Sequence, residues 1–134
     1  MRSMSLLFLT AALAACSTGP QPGRTARAQA QLDQLLAGKS PGKPISCLQH
    51  YRSNDMVVVD ENTVVFKAGR TVYRNDFQGG TCDNLGQGVY ALLTKTSGSG
   101  LCRGDIGQII DTHSGMTVGS CVIGDFVPYT APRN

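Results

Sequence analysis

Four cysteines, Cys47, Cys82, Cys102 and Cys121, are the residues of this 134-residue chain whose spacing most restricts their chemistry. No two of them form a C-x-x-C pair, and His50 and His113 stand at no ligand-like distance from them, so neither structural zinc nor a thioredoxin-like redox centre is expected. No other cofactor is expected. An even number of cysteines in a small exported domain predicts two structural disulfides. Spacing alone permits three pairings, of which Cys82–Cys102 with Cys47–Cys121 is preferred, each bridge joining a strand edge or loop on one side of a barrel-like sheet.

Acid–base or nucleophilic chemistry would need a positioned histidine. His113 is the loop histidine that could serve, flanked by Asp111, Thr112 and Ser114. Neighbours in a five-residue turn rarely assemble a triad, so the expected role is a polar hairpin tip with Asp111 capping its own turn. His50, beside Tyr51 and Arg52, reads as a surface cluster. A glycosidase pair could be drawn from Asp60, Asp105 and Asp111, yet nothing lifts any of them above turn chemistry. Arg103-Gly104-Asp105 spells an adhesion tripeptide, but its better reading is a turn that enters the Ile106 strand. No catalytic residue is assigned.

The fifth cysteine, Cys16, closes Leu13-Ala14-Ala15-Cys16, behind a basic Arg2 and an apolar run from Leu6 to Ala15 that is too short to cross a bilayer. This arrangement resembles the bacterial lipobox, in which the cysteine is acylated and becomes the first residue. Residues 1–15 are therefore expected to be a lipoprotein signal peptide, Cys16 the lipidation site, and the membrane a partner through that anchor. Ser17 stands where an Asp would favour inner-membrane retention, which points to the outer membrane, facing the periplasm. Loss of Arg2 takes the formal charge one below +3, too little for electrostatic capture of nucleic acid.

The elements behind these residues follow from composition. Sixteen glycines, six prolines and Glu61 as the sole glutamate disfavour a helical bundle and favour turns and strands. Residues 16–27 hold no aliphatic side chain larger than alanine and read as a lipidated tether. Residues 28–134 read as the domain, opening with a short amphipathic helix whose Leu32, Leu35 and Leu36 pack inward and whose C-cap region is Gly38. Met56–Val59, Thr63–Phe66 and Thr71–Tyr73 predict a meander, with Asn62 expected in the left-handed region of the first turn. Val89–Thr94 predicts a fourth strand, and Ile106–Ile110 with Met116–Ile123 a last hairpin turned by Gly115. Asp125–Pro128 is expected to end the fold. The nearly continuous apolar runs call for cover on both faces. The fold class is mainly β, a small antiparallel barrel-like or sandwiched sheet with one N-terminal helix and two disulfides.

Leu36-Ala37-Gly38-Lys39, Ile45-Ser46-Cys47, the Met56–Phe66 hairpin, Cys82-Asp83-Asn84-Leu85, Leu101 to Asp105 and Ser120 to Phe126 together resemble a family of small exported bacterial proteins, often lipoproteins, of uncharacterised function. The resemblance spans Leu36 to Pro128 and rests on the order and spacing of short motifs. It implies the four-cysteine framework and supplies no activity, ligand or catalytic residue. The expected function is an envelope lipoprotein with a non-catalytic binding or structural role and an envelope protein as partner. The competing expectation is a small envelope hydrolase, or an inhibitor of an envelope enzyme.

Overall fold

The computed structural model describes residues 23–51, 55–79, 82–96, 98 and 100–133. Helix α1, Ala26–Leu36, starts at Thr25, whose Oγ1 accepts from the Ala28 amide at 3.1 Å. It stops where Gly38 takes a φ of +69°. Ala28 and Leu32 are buried, and Leu35 and Leu36 pack beside them against Val59, Val65 and Val72. The leucines therefore serve tertiary packing, which a three-turn helix needs in order to persist.

The domain starts earlier than composition suggested. Arg24 lies within the stretch read as tether, yet its side chain is 4% exposed and its Nε is 2.5 Å from Asp60 Oδ2. Apolar content was the wrong criterion there, because an arginine is buried by pairing and not by hydrophobicity.

Five strands form the main sheet in the order β1 (Ser40–Pro41), β10 (Phe126–Thr130), β5 (Thr71–Asp76), β4 (Thr63–Ala68), β3 (Met56–Asp60), all antiparallel. A two-stranded ribbon pairs β2 (Cys47–Gln49) with β7 (Gly100–Cys102). A three-stranded sheet has the order β6 (Tyr90–Lys95), β8 (Ile106–Asp111), β9 (Thr117–Val122). Alternation along β4 sends Val65 toward α1, while Val64 and Phe66 meet Leu48, Leu101, Ile109, Cys121 and Phe126 on the opposite side. The main sheet is thus sandwiched between the helix and the two smaller sheets, which accounts for its runs of apolar residues with no polar alternation.

Two details depart from expectation. Asn62 is not left-handed, because Asp60 Oδ1 accepts its amide at 2.8 Å and closes an Asx turn in ordinary backbone. Among the described residues other than glycine, His50 and Asn84 have positive φ. The chain does not end its fold at Pro128: β10 runs on to Thr130 between β5 and β1, and β1 gives way to Gly42 beside Pro128, so the missing N–H breaks no ladder bond.

The disulfide pairing also differs from the preferred one. Cys47 is bonded to Cys102 and Cys82 to Cys121. Cys47 and Cys102 are register partners across β2 and β7, three-residue strands too short to give a periodic signal in the sequence. Cys82 lies under β9 in the core, with its Cα 5.2 Å from that of Cys121.

Candidate functional site

The segment that leaves β2 helps to build two clefts. His50 turns the chain with a φ of +53°, and Tyr51 leaves the ribbon to lie across the gap between the main sheet and the three-stranded sheet. Its ring meets Phe66 edge-on, with centroids 5.7 Å apart and planes at 81°. Its hydroxyl shares a 2.8 Å hydrogen bond with Thr94 Oγ1. One half-buried tyrosine therefore connects β4 to β6.

Two clefts share that ring and Phe66 as walls. The smaller, about 160 Å³, is lined by Leu48, Gln49, His50, Tyr51, Asp55, Phe66, Lys67, Ala68 and Tyr73. Its lining is mixed, with Leu48, Phe66 and the tyrosine rings supplying apolar surface and His50, Asp55 and Lys67 supplying ionisable groups. The larger, about 290 Å³, is lined by Tyr51, Met56, Phe66, Leu92, Leu93, Thr94 and Leu101, with Thr94 its polar member besides the tyrosine hydroxyl. The mainly apolar lining of the larger cleft, with few polar groups, is the usual makeup of a small-ligand or side-chain site. The sequence had flagged His50 and Tyr51 as a surface pair, with Arg52 outside the described residues. It gave no sign of Lys67 beside them, because the packing of Tyr51 on Phe66 of β4 joins segments that are separate in the chain.

The carboxylates weighed for catalysis are engaged by backbone and by arginine. Asp111 Oδ1 accepts from the amides of His113 at 2.8 Å and Ser114 at 3.2 Å. These two bonds hold its carboxyl below the ordinary carboxylate range, with the nearby His113 adding a smaller push in the same direction. His113 Nδ1 is 3.9 Å from that oxygen, and the ring is 78% exposed. Asp105 Oδ2 accepts from the Cys102 amide at 2.8 Å, and Arg103 reaches Asp125 at 3.4 Å, so the Arg103-Gly104-Asp105 stretch is a pinned turn at the entry to β8. Asp60 belongs to a network that was not legible in sequence. Arg24 contacts both Asp60 and Thr63 Oγ1, the latter hydroxyl donates to Asp76 at 2.6 Å, and Arg74 reaches Asp76 at 2.9 Å. Burial pushes the Arg74 guanidinium down, but the bond to Asp76 and that residue's charge outweigh it, with a smaller contribution from Tyr129, and leave it above its ordinary value.

Cys47, Cys82, Cys102 and Cys121 are all consumed as cystine, whereas Cys16 lies outside the described residues. Among the described residues, no helix is long and apolar enough to cross a membrane. No protein family, curated protein or solved structure matches the chain. The geometry around Tyr51 therefore carries the functional argument unaided.

Proposed function

We propose that the chain is an exported envelope lipoprotein, anchored through Cys16, whose domain binds an apolar group of an envelope protein in the clefts beside Tyr51 and performs no chemistry of its own. The observation that carries the reading is the paired cleft itself: a mixed polar and apolar recess of about 160 Å³ and a mainly apolar one of about 290 Å³ share the walls Tyr51 and Phe66. Polar groups at the smaller mouth give such a site orientation, while the shared aromatic wall gives it contact area. Two disulfides fit an oxidising compartment, which supports export. The lipobox-like Leu13-Ala14-Ala15-Cys16 and the following Ser17 support anchoring at the outer membrane.

The test is photocrosslinking in the living envelope from an unnatural photoreactive residue at position 67, on the exposed rim. A discrete protein adduct is expected, and it is expected to vanish in Tyr51→Ala while the domain keeps both disulfides. Failure to form an adduct, or an adduct indifferent to Tyr51→Ala, overturns the reading. Anchoring is tested separately: Cys16→Ser is expected to release the protein from the membrane fraction and remove the mass of the acyl chains.

A further inference from the structure

We infer that the outward face of the β6–β8–β9 sheet rests on the bilayer that holds Cys16, an inference that depends on the anchoring reading above. Along β6 the side chains alternate between half-buried and exposed, so Leu92 faces the core and Leu93 faces out. Ile109 and Cys121 point inward from β8 and β9, which turns Ile106 and Val122 to the same outer face. The register sets Lys95, Ile106 and Val122 in one rung and Leu93, Gln108 and Ser120 in the next. Leu93 is 46% exposed, Ile106 47% and Val118 45%, and Met116, where the chain enters β9, is 66% exposed. Lys95, at the margin of the face, is its only charged side chain, and a lysine there can lay its stem along the apolar surface and hold its ammonium among headgroups. A soluble antiparallel sheet with one solvated face would carry polar residues in place of Leu93, Ile106 and Val118.

Two observations select the bilayer over other covers. Three strands of six residues present a face of about 300 Å², with strands about 4.8 Å apart and about 3.4 Å of rise per residue. A specific interface needs about 800 Å² from each partner, so a second copy seated on this face alone would not hold in solution. The second is the reach of the anchor. Arg24 is fastened to Asp60 and Thr63 and lies 4.0 Å from Asp76, and two residues beyond Asp76 the Gln78 amide donates to the Val122 carbonyl at the end of this same sheet. The tether root is therefore joined to the Ile106–Val122 end of the sheet through the short Asp76–Gln78 segment. The eight residues from Cys16 to Arg24 extend at most about 28 Å, so an anchored domain remains beside the surface and an apolar face needs little further affinity to settle on it.

The chain contains no tryptophan, which makes a single introduced indole an unambiguous reporter. The experiment uses full-length lipidated protein reconstituted in phosphatidylethanolamine–phosphatidylglycerol vesicles with and without brominated acyl chains. Val118→Trp is expected to show blue-shifted emission and to lose most of it to the brominated lipid, whereas Gln34→Trp on exposed helix α1 is expected to keep its emission. Ile106→Asp placed in the Val118→Trp background is expected to restore the emission. An indole at position 118 that brominated lipid leaves bright, in protein that still floats with the vesicles, overturns the inference and spares the anchor. A blue shift that grows with protein density without quenching also overturns it, by assigning the face to a second copy. Protein that fails to float removes the anchor and the inference together.

Discussion

Cys47 and Cys102 stand directly opposite each other across β2 and β7, with their Cα atoms 4.0 Å apart, and each is half-buried. Cys82 and Cys121, by contrast, are 0% and 2% exposed within the core. Thiol–disulfide exchange needs a thiolate to reach a sulfur in line, so access orders the two bonds. Under a graded reductant, Cys47–Cys102 is expected to open first and Cys82–Cys121 only with global unfolding. Stepwise alkylation followed by mass spectrometry reads the order. Opening of Cys82–Cys121 first, in protein that is still folded, contradicts it.

How the cysteines pair was not legible in sequence, and the reason is physical. Pairing depends on which strands lie side by side, and β2 and β7 are three residues long, shorter than any periodic signal. The β3–β4–β5 meander was legible because its strands are adjacent in the chain and rich in β-branched residues. The hairpin from Ile106 was legible for the same reason, and Gly115 takes a φ of +71° in its turn. β10 was hidden by Pro128, which ordinarily marks the end of a sheet. At the candidate site Tyr51 and Phe66 were visible as separate aromatic residues, but the contact between them joins segments that only the folded chain brings together.

Arg24 is expected to matter more than its position before the helix suggests. Arg24→Ala leaves Asp60 without its partner, with that side chain 17% exposed, and strips Thr63 of a donor. A cost of about 2–3 kcal/mol is expected in urea unfolding, in the range for breaking a largely buried pair. Arg24→Lys is expected to recover little of it, since one ammonium cannot repeat the forked contact to Asp60 and Thr63. A variant as stable as the parent would show the network to be incidental.

His113→Ala is expected to change stability by less than about 1 kcal/mol and to leave any envelope phenotype intact, as befits an exposed turn residue. Asp111 is expected to behave otherwise. Its carboxyl titrates below the ordinary range, so the folded state binds its proton less readily than the unfolded chain does. That stabilisation is complete above the ordinary carboxylate pKa of about 3.9 and is lost as pH falls through the lower folded value. Asp111→Asn should therefore be less stable than the parent at neutral pH, with the gap closing in acid. Unfolding midpoints measured from neutral pH into the acid limb check the sign, and a gap that widens in acid contradicts it.

Asn75 and Gly124 form a reciprocal polar junction in the core, and their substitutions should separate two costs. Asn75 is 0% exposed, donates from Nδ2 to the Gly124 carbonyl at 2.8 Å and accepts from the Gly124 amide at 3.2 Å. Through these bonds β5 holds the turn that leads into β10, so Asn75→Ala strands a buried amide and carbonyl at a cost of about 1–3 kcal/mol. Gly124 has a different constraint: a Cβ there would run into the Asp76 carbonyl, which is backbone and cannot swing aside. Gly124→Ala is accordingly expected to cost about 1–3 kcal/mol by forcing the strand away. Gly88 supplies the control, because a Cβ there meets nothing within 4 Å, and Gly88→Ala should stay within about 0.5 kcal/mol of the parent. Thermal or urea unfolding of the three variants decides the matter: equal effects at Gly124 and Gly88 would show that glycine is not required by the approach of Asp76, whatever Asn75→Ala does.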